Sequence, residues 1–171
     1  MSRVVNNTVL VNFCLVDRLD ILRTLFGKVY VTHEVREEVL RGLDEGYGFM
    51  ARAEREIGVG AEAWLELVGF DTLAEEQSFR EFADRLSFGE ASCLALARHR
   101  GWLVLTDDEA ARRRLRHERL EVTGTLGILK LAVERGTLSV EEGNDLLRQM
   151  IASGYRSPYD DLLDIHGRDA V

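Results

Sequence analysis

Four places in this chain put oxygen donors where strand-like runs give way to helix-like ones: Asn6, Glu38, Glu90 and the adjacent pair Asp107 and Asp108. Hard divalent cations such as Mg2+ or Mn2+ take oxygen ligands and usually keep several waters. Two or three carboxylates from separate elements therefore make a workable site. A cation held there can activate water and offset charge on a scissile phosphate. Spacing alone does not establish that the four meet. Each also has a plainer role. Ser87 and Glu90 form a Ser-x-x-Glu capping box, and Thr106 with Glu109 and Ser139 with Glu142 repeat the pattern. Asp107 or Asp108 would serve as an N-cap alone. Glu34, Glu37 and Glu38 together read as a charged helix face, and Asn6 with Asn7 could simply turn the chain.

The donors converge only if their elements share one sheet edge. Trp102 to Leu105 reads as a short buried strand ending at Thr106-Asp107-Asp108, followed by an Arg-rich helical pattern from Glu109 to Arg119. In an open α/β sheet the carboxyl ends of the strands form the crevice where ligands collect. Arg3 to Val11 predicts a first strand with a polar step at Asn6-Asn7-Thr8. Phe13, Val16, Leu19, Leu22 and Phe26 then predict one helix over about 12–26, closed by Gly27. Val29 to Val31 is a second strand. The helix after it carries Glu38 beside the stripe of Val35, Val39, Leu40 and Leu43. Phe49 to Ile57 suggests a short helix, Ala63 to Phe70 a strand, Thr72 to Leu86 a helix, and Glu90 to Arg100 another. Leu120 to Val122 reads as a last strand and Thr125 to Glu134 as a helix. Alternation of this kind predicts a parallel sheet covered on both faces.

The tail adds a helix at about 140–153 and a second from Pro158 to Ile165. Packing on the same domain is the plain expectation for it, and a partner or dimer surface is the alternative. The chain has 171 residues, 46% of them apolar, with a net charge of −8, which suits one compact domain and argues against a general polycation. A strand-like run begins within a few residues of the N-terminus, and no apolar run approaches ~20 residues, so a cytoplasmic protein without membrane contact is expected. Cys14 and Cys93 lie inside apolar helical patterns and read as buried reduced thiols. His33, His99, His117 and His166 show no paired metal spacing. Phosphate-loop, Gly-x-Ser-x-Gly and Rossmann glycine motifs are absent. A receiver-like phosphoacceptor fits poorly, because no lysine follows a late strand. Arg112, Arg113 and Arg116, within a cluster that includes Arg114, Arg119 and His117, could contact RNA phosphates, although Glu109 and Glu118 interrupt the patch.

The ordered series VVNNTVLVNF, EEVLRG, FGEASCLALARHRGWLVLTDD and LEVTGTLGIL resembles the PIN-domain family, particularly a bacterial and archaeal subgroup related to VapC toxins. The resemblance runs from Val4 to about Leu131, and GYRSPYDDLL resembles the subgroup's C-terminal end. It implies a three-layer α/β/α fold with a central parallel sheet, divided as a PIN-like domain over 1–136 and a packed helical extension over 137–171. It also implies Mg2+ or Mn2+ and cleavage of RNA. Matched by position, the family's four acids fall on Asn6, Glu38, Glu90 and Asp108. Asp107 is then a neighbour that points to the opposite face of the strand. Asn6 departs from the pattern, since an amide oxygen ligates without bringing charge. The resemblance thus suggests a toxin-like ribonuclease using Glu38, Glu90 and Asp108 with Asn6 assisting, an RNA substrate, a cognate antitoxin and a homodimer. A catalytically weak RNA- or protein-binding module is the alternative.

Overall fold

The computed structural model describes residues 1–165. His166 and the last residues of the tail lie outside that range. Six parallel strands form one sheet in the order β3-β4-β2-β1-β5-β6. They are β1 (Arg3–Val5), β2 (Val29–Thr32), β3 (Ile57–Gly58), β4 (Leu65–Val68), β5 (Leu103–Leu105) and β6 (Val122–Thr123). Val4 pairs with Val104 and Val5 with Leu105, and all four are fully buried. A strand covered on both faces has no polar face to show, which is why VV and LVL appear without alternation. The chain runs outward from β1 to β2 on one side and returns to place β5 on the other. The crevice beyond the carboxyl ends of β1 and β5 therefore lies where the strand order reverses.

The described helices are α1 (Asn7–Leu15), α2 (Asp20–Phe26), α3 (His33–Asp44), α4 (Ala51–Glu56), α5 (Leu73–Ala83), α6 (Phe88–Arg100), α7 (Glu109–His117), α8 (Thr125–Glu134) and α9 (Val140–Ala152). They flank the sheet in a three-layer α/β/α arrangement, as the resemblance implies. Helix α6 packs against α3, α5 and α7, while α8 packs against α2 and α9. Ala91 to Ala97 of α6 are buried all round the helix, and the small residues let it sit close to its neighbours.

Ile57–Gly58 forms β3 where the sequence suggests the end of a short helix, and four boundaries also differ from the sequence expectation. The first strand ends at Val5, because Asn6 caps α1 through its side chain and the helix begins at Asn7. The single helix over 12–26 is two helices, parted at Asp17, whose φ of 55° takes the left-handed region that Asp tolerates better than most residues. The last strand is Val122–Thr123, since Leu120 still bonds back to Leu115 as α7 unwinds through left-handed Arg119. Of the helix expected over 158–165, only Leu162–Asp164 coils, as a 3-10 turn, and Pro158 lies in an irregular stretch before it. Leu162 is buried against Gly143 of α9, where an added Cβ would come within 2.7 Å of it, and its N–H donates to Asn144 Oδ1 at 2.9 Å.

Candidate functional site

At the end of β1, the buried Asn6 is held on both amide atoms. Its Oδ1 accepts from Asn7 N at 2.6 Å, and its Nδ2 donates to Thr106 Oγ1 at 3.1 Å. Thr106 Oγ1 also accepts from Asp108 N, so β1 and β5 are laced together by one hydroxyl. That use of Thr106 overturns its expected capping box with Glu109. Asp108 is the N-cap of α7 instead, accepting Ala111 N at 2.7 Å.

The two adjacent acids face different surroundings. Asp107 is a cap as well, but for another helix. Gly124, the N-cap of α8, has no side chain to offer, and Asp107 reaches across to accept Thr125 N at 2.8 Å and Thr125 Oγ1 at 2.5 Å. Asn12 Nδ2 donates at 3.1 Å and Tyr155 Oη at 3.4 Å. A Cβ on Gly124 would collide with Asp107 Oδ1, so glycine is what lets the carboxylate approach. Burial pushes the Asp107 carboxyl up, against the pull of the Thr125 bonds and the Arg112 charge. Sequence reasoning placed Asp107 beside the site but missed Asn12, Thr125, Gly124 and Tyr155, its partners. The only signal for them was polar residues inside otherwise apolar runs.

Glu90 lies in the field of both Asp108 and Glu38. Burial raises the Glu90 carboxyl above the ordinary carboxylate range, and the charges of Asp108 and Glu38 raise it further, against the bonds it receives from Ser87. Burial likewise raises Glu38, against hydrogen bonds from Ser87 and Gly89. Glu38 Oε1 accepts Gly89 N at 3.1 Å, so a residue of α3 helps to cap α6. A Cβ on Gly89 would lie 2.6 Å from that carboxylate, and only glycine leaves the space. The Gly next to Glu90 in the FGEA stretch was the available sign.

Among the described residues, no three His, Cys, Asp or Glu side chains are gathered around a point that could hold a metal ion. One oxygen each of Glu38, Glu90 and Asp108 is held by a backbone N–H. In donor chemistry the set still fits a hard divalent cation, which needs only one or two direct carboxylates and keeps waters. The buried Asn7 Oδ1 adds to the fit. It has no hydrogen-bond partner among the described residues and lines a depression with Glu38 and Arg41. Of the two asparagines, then, Asn6 is committed to the fold and Asn7 carries the unused acceptor.

The arginines divide as well. Arg112 donates to Thr106 O at 3.1 Å and, with Arg116, lines a cavity beside Asp107. Arg113 lines a different depression with Arg85 and His117. Arg114 pairs with Glu81 and Glu118 and lies over the Phe82 ring. Cys14 and Cys93 are buried and free.

The parallel sheet, with helices on both faces and the acids gathered near its reversal point, is a three-layer α/β/α fold. The chain belongs to the PIN-domain family, since the model of the family DUF3368, described as a PIN domain, matches residues 2–165. The match takes in α9 and the turn at Leu162. A search of curated proteins found no match. No described helix is long and apolar enough to cross a membrane.

Proposed function

We propose that this protein is a metal-dependent ribonuclease of the PIN type, toxin-like in biology, that hydrolyses RNA phosphodiesters. One observation carries the reading: the PIN-domain family model matches residues 2–165, and within that fold the half-buried Glu90 lies in the field of Asp108 and Glu38. Such a set is costly without a cation and favourable with one. Glu38, Glu90 and Asp108 would hold Mg2+ or Mn2+, with Asn6 or the unused Asn7 Oδ1 contributing a neutral oxygen. When bound, the ion supplies an activated water and charge to offset the phosphorane-like transition state. The chain's own part is positional. Gly89 lets Glu38 reach the N-terminus of α6, Ser87 fixes Glu90, and Thr106 fixes Asp108 relative to Asn6. RNA phosphates would approach from the side of Arg112, Arg113 and Arg116.

The direct test is Mn2+ titration with a panel of structured and unstructured RNAs. Cleavage should appear with added Mn2+ and fall at least about 100-fold in Asp108→Ala, the scale of losing a group that acts only in the transition state. No cleavage, or cleavage indifferent to Asp108, contradicts the reading. Asn6 supports a second reading, a PIN-fold binding module with weak catalysis, since its amide brings no charge and both its amide atoms are engaged in the fold. Activity that appears only in Asn6→Asp favours that alternative. A cognate antitoxin encoded beside the gene, a homodimer, a cytoplasmic site of action and the division at 136/137 belong to the same proposal.

A further inference from the structure

Two of the large apolar side chains left exposed among the described residues are aromatic, Tyr47 at 53% and Phe88 at 64%. Exposed apolar residues scattered singly are ordinary. These two are not scattered, because each lines a depression that also contains Glu38 and Arg41. The depressions measure about 370 Å³ on the Tyr47 side and about 460 Å³ on the Phe88 side, and Glu38 with Arg41 forms the wall they share. Both rings are placed by fixed backbone. Helix α3 ends in a Schellman motif, in which Gly46, at φ 96°, donates to Leu43 O at 3.0 Å and Tyr47 N donates to Gly42 O at 2.9 Å. An apolar side chain at position 42 would ordinarily pack on the ring at 47, but that position is glycine and the ring stays open. Phe49 lies beside it at 6.1 Å. Phe88 stands between Ser87, whose N–H bonds Glu90 at 3.0 Å, and Gly89, whose N–H bonds Glu38 at 3.1 Å. Phe79 meets its ring edge-on at 5.8 Å. Against Arg41 the two linings set Glu34, Glu37, Glu38 and Glu45, so a phosphate inside either depression is repelled and an uncharged planar group is not. The Asn7 amide, whose Oδ1 has no hydrogen-bond partner among the described residues, adds a group able to meet the polar edge of a base.

We propose that Tyr47 and Phe88 form a stacking clamp for the two bases that flank the scissile phosphate, one in each depression beside Glu38. The clamp rests on the ribonuclease reading, and it deepens that reading by naming the substrate class, RNA whose bases are unpaired and can be splayed apart. Stacking on an aromatic ring is tolerant of sequence, because every base has a π-face. A duplex keeps its bases stacked on one another and has none to offer. The acids of α3 keep phosphates out of the depressions, which leaves the phosphate between the two bases at Glu38, Glu90 and Asp108, where a bound cation offsets its charge. Tyr47 and Phe88 touch the bases and not the reacting atoms. They are positioning residues.

The experiment is fluorescence anisotropy of a short, end-labelled single-stranded RNA with the full chain in Ca2+, a hard cation that takes the same oxygen ligands. The same RNA with abasic sugars at its centre, and a duplex of it, serve as comparisons. The parent should bind the intact single strand at least about 10-fold more tightly than either. Tyr47→Leu and Phe88→Leu should each weaken that binding about 5-fold, as loss of one stacked base predicts, and the double variant should no longer distinguish intact from abasic RNA. Gly42→Leu fills the depression on the Tyr47 side and leaves the ring in place. It suits a helix interior, so it should melt no earlier than the parent and bind as weakly as Tyr47→Leu. A parent that binds abasic RNA as tightly as intact RNA overturns the proposal. So does a double variant that melts as the parent does and binds intact RNA within twofold of it. If the double variant melts early, Gly42→Leu decides, and binding within twofold of the parent overturns the proposal again. Because binding is read apart from cleavage, RNA held in this way but never cut with Mn2+ defeats the ribonuclease reading alone. RNA cut by a protein whose binding ignores both rings defeats the clamp alone.

Discussion

Helices α5 and α6 open with the same device, yet the two acids in it behave oppositely. Thr72 and Glu75 form a full capping box, and so do Ser87 and Glu90. Glu75 is buried beside Arg100, whose Nε donates to it at 2.6 Å, and the pairing pulls its carboxyl down to about 2. Glu90 has the same two capping-box bonds and, among the described residues, no cation paired with it. Its carboxyl is pushed up by burial and by Asp108 and Glu38. The third box, Ser139 with Glu142 on α9, sits in solvent, and its acid is lowered by Ser139. Capping therefore accounts for the motif in all three places but not for the environment of Glu90. An acid that caps a helix and also faces two other acids is arranged for something besides the helix.

The contrast can be broken most severely at Glu75. Glu75→Ala removes a buried ion pair and half of a capping box, and it should cost about 3 kcal/mol in urea unfolding. Glu90→Gln keeps an acceptor for Ser87 and removes repulsion, so its stability should stay within about 1 kcal/mol of the parent. Equal losses in the two variants would mean that Glu90 is as structural as Glu75. Asp107→Ala comes next, at about 2 kcal/mol, or roughly 4–8 °C in Tm for a chain of this size. It leaves Thr125 N without its acceptor, but Asn12 and Thr125 keep the 3.0 Å bond between them.

The effect of pH sharpens the same comparison. The folded value of Glu75 lies below the ordinary 4.5, so its contribution is present above 4.5 and lost as pH falls through about 2. Glu75→Gln should flatten that acid limb. Glu90 has the opposite sign. Its raised folded value means that stability declines as pH climbs from 4.5 through that value, and Glu90→Gln should lose less over the same interval. The smallest effect is expected at Gly89→Ala. The new methyl meets the far end of the Glu38 side chain, which can rotate away, so stability should change by under about 1 kcal/mol while Mn2+ affinity falls.

The sheet, its parallel order and the helices were legible because buried apolar runs alternate with 3.6-residue stripes. Boundaries were less so wherever a side chain acts across the chain. Asn6 looked like a polar step inside a strand because its capping bond and its partner Thr106 are separated by a hundred residues. The break at Asp17 was hidden by an apolar period that continues through it. Ser-x-x-Glu was read correctly at Ser87 and Ser139, wrongly at Thr106, and overlooked at Thr72. The motif fixes only local geometry, and Thr106 is claimed by the neighbouring strand. For the site, the residue types at the strand ends were visible in sequence. The charges of Asp108 and Glu38 acting on Glu90, the unused oxygen of Asn7 and the separate anchoring of Asp107 required the fold.

The most direct test of this division is Mn2+ binding, followed by electron paramagnetic resonance, on the parent and on Glu38→Gln, Glu90→Gln, Asp108→Asn and Asp107→Asn, with thermal melts of each. Loss of at least about 10-fold in affinity is expected in the first three with little change in melting, consistent with removal of a charged oxygen ligand. Asp107→Asn should keep its affinity and melt earlier. Undiminished Mn2+ binding by Glu90→Gln, or a loss of binding in Asp107→Asn that leaves its melting unchanged, would contradict the account.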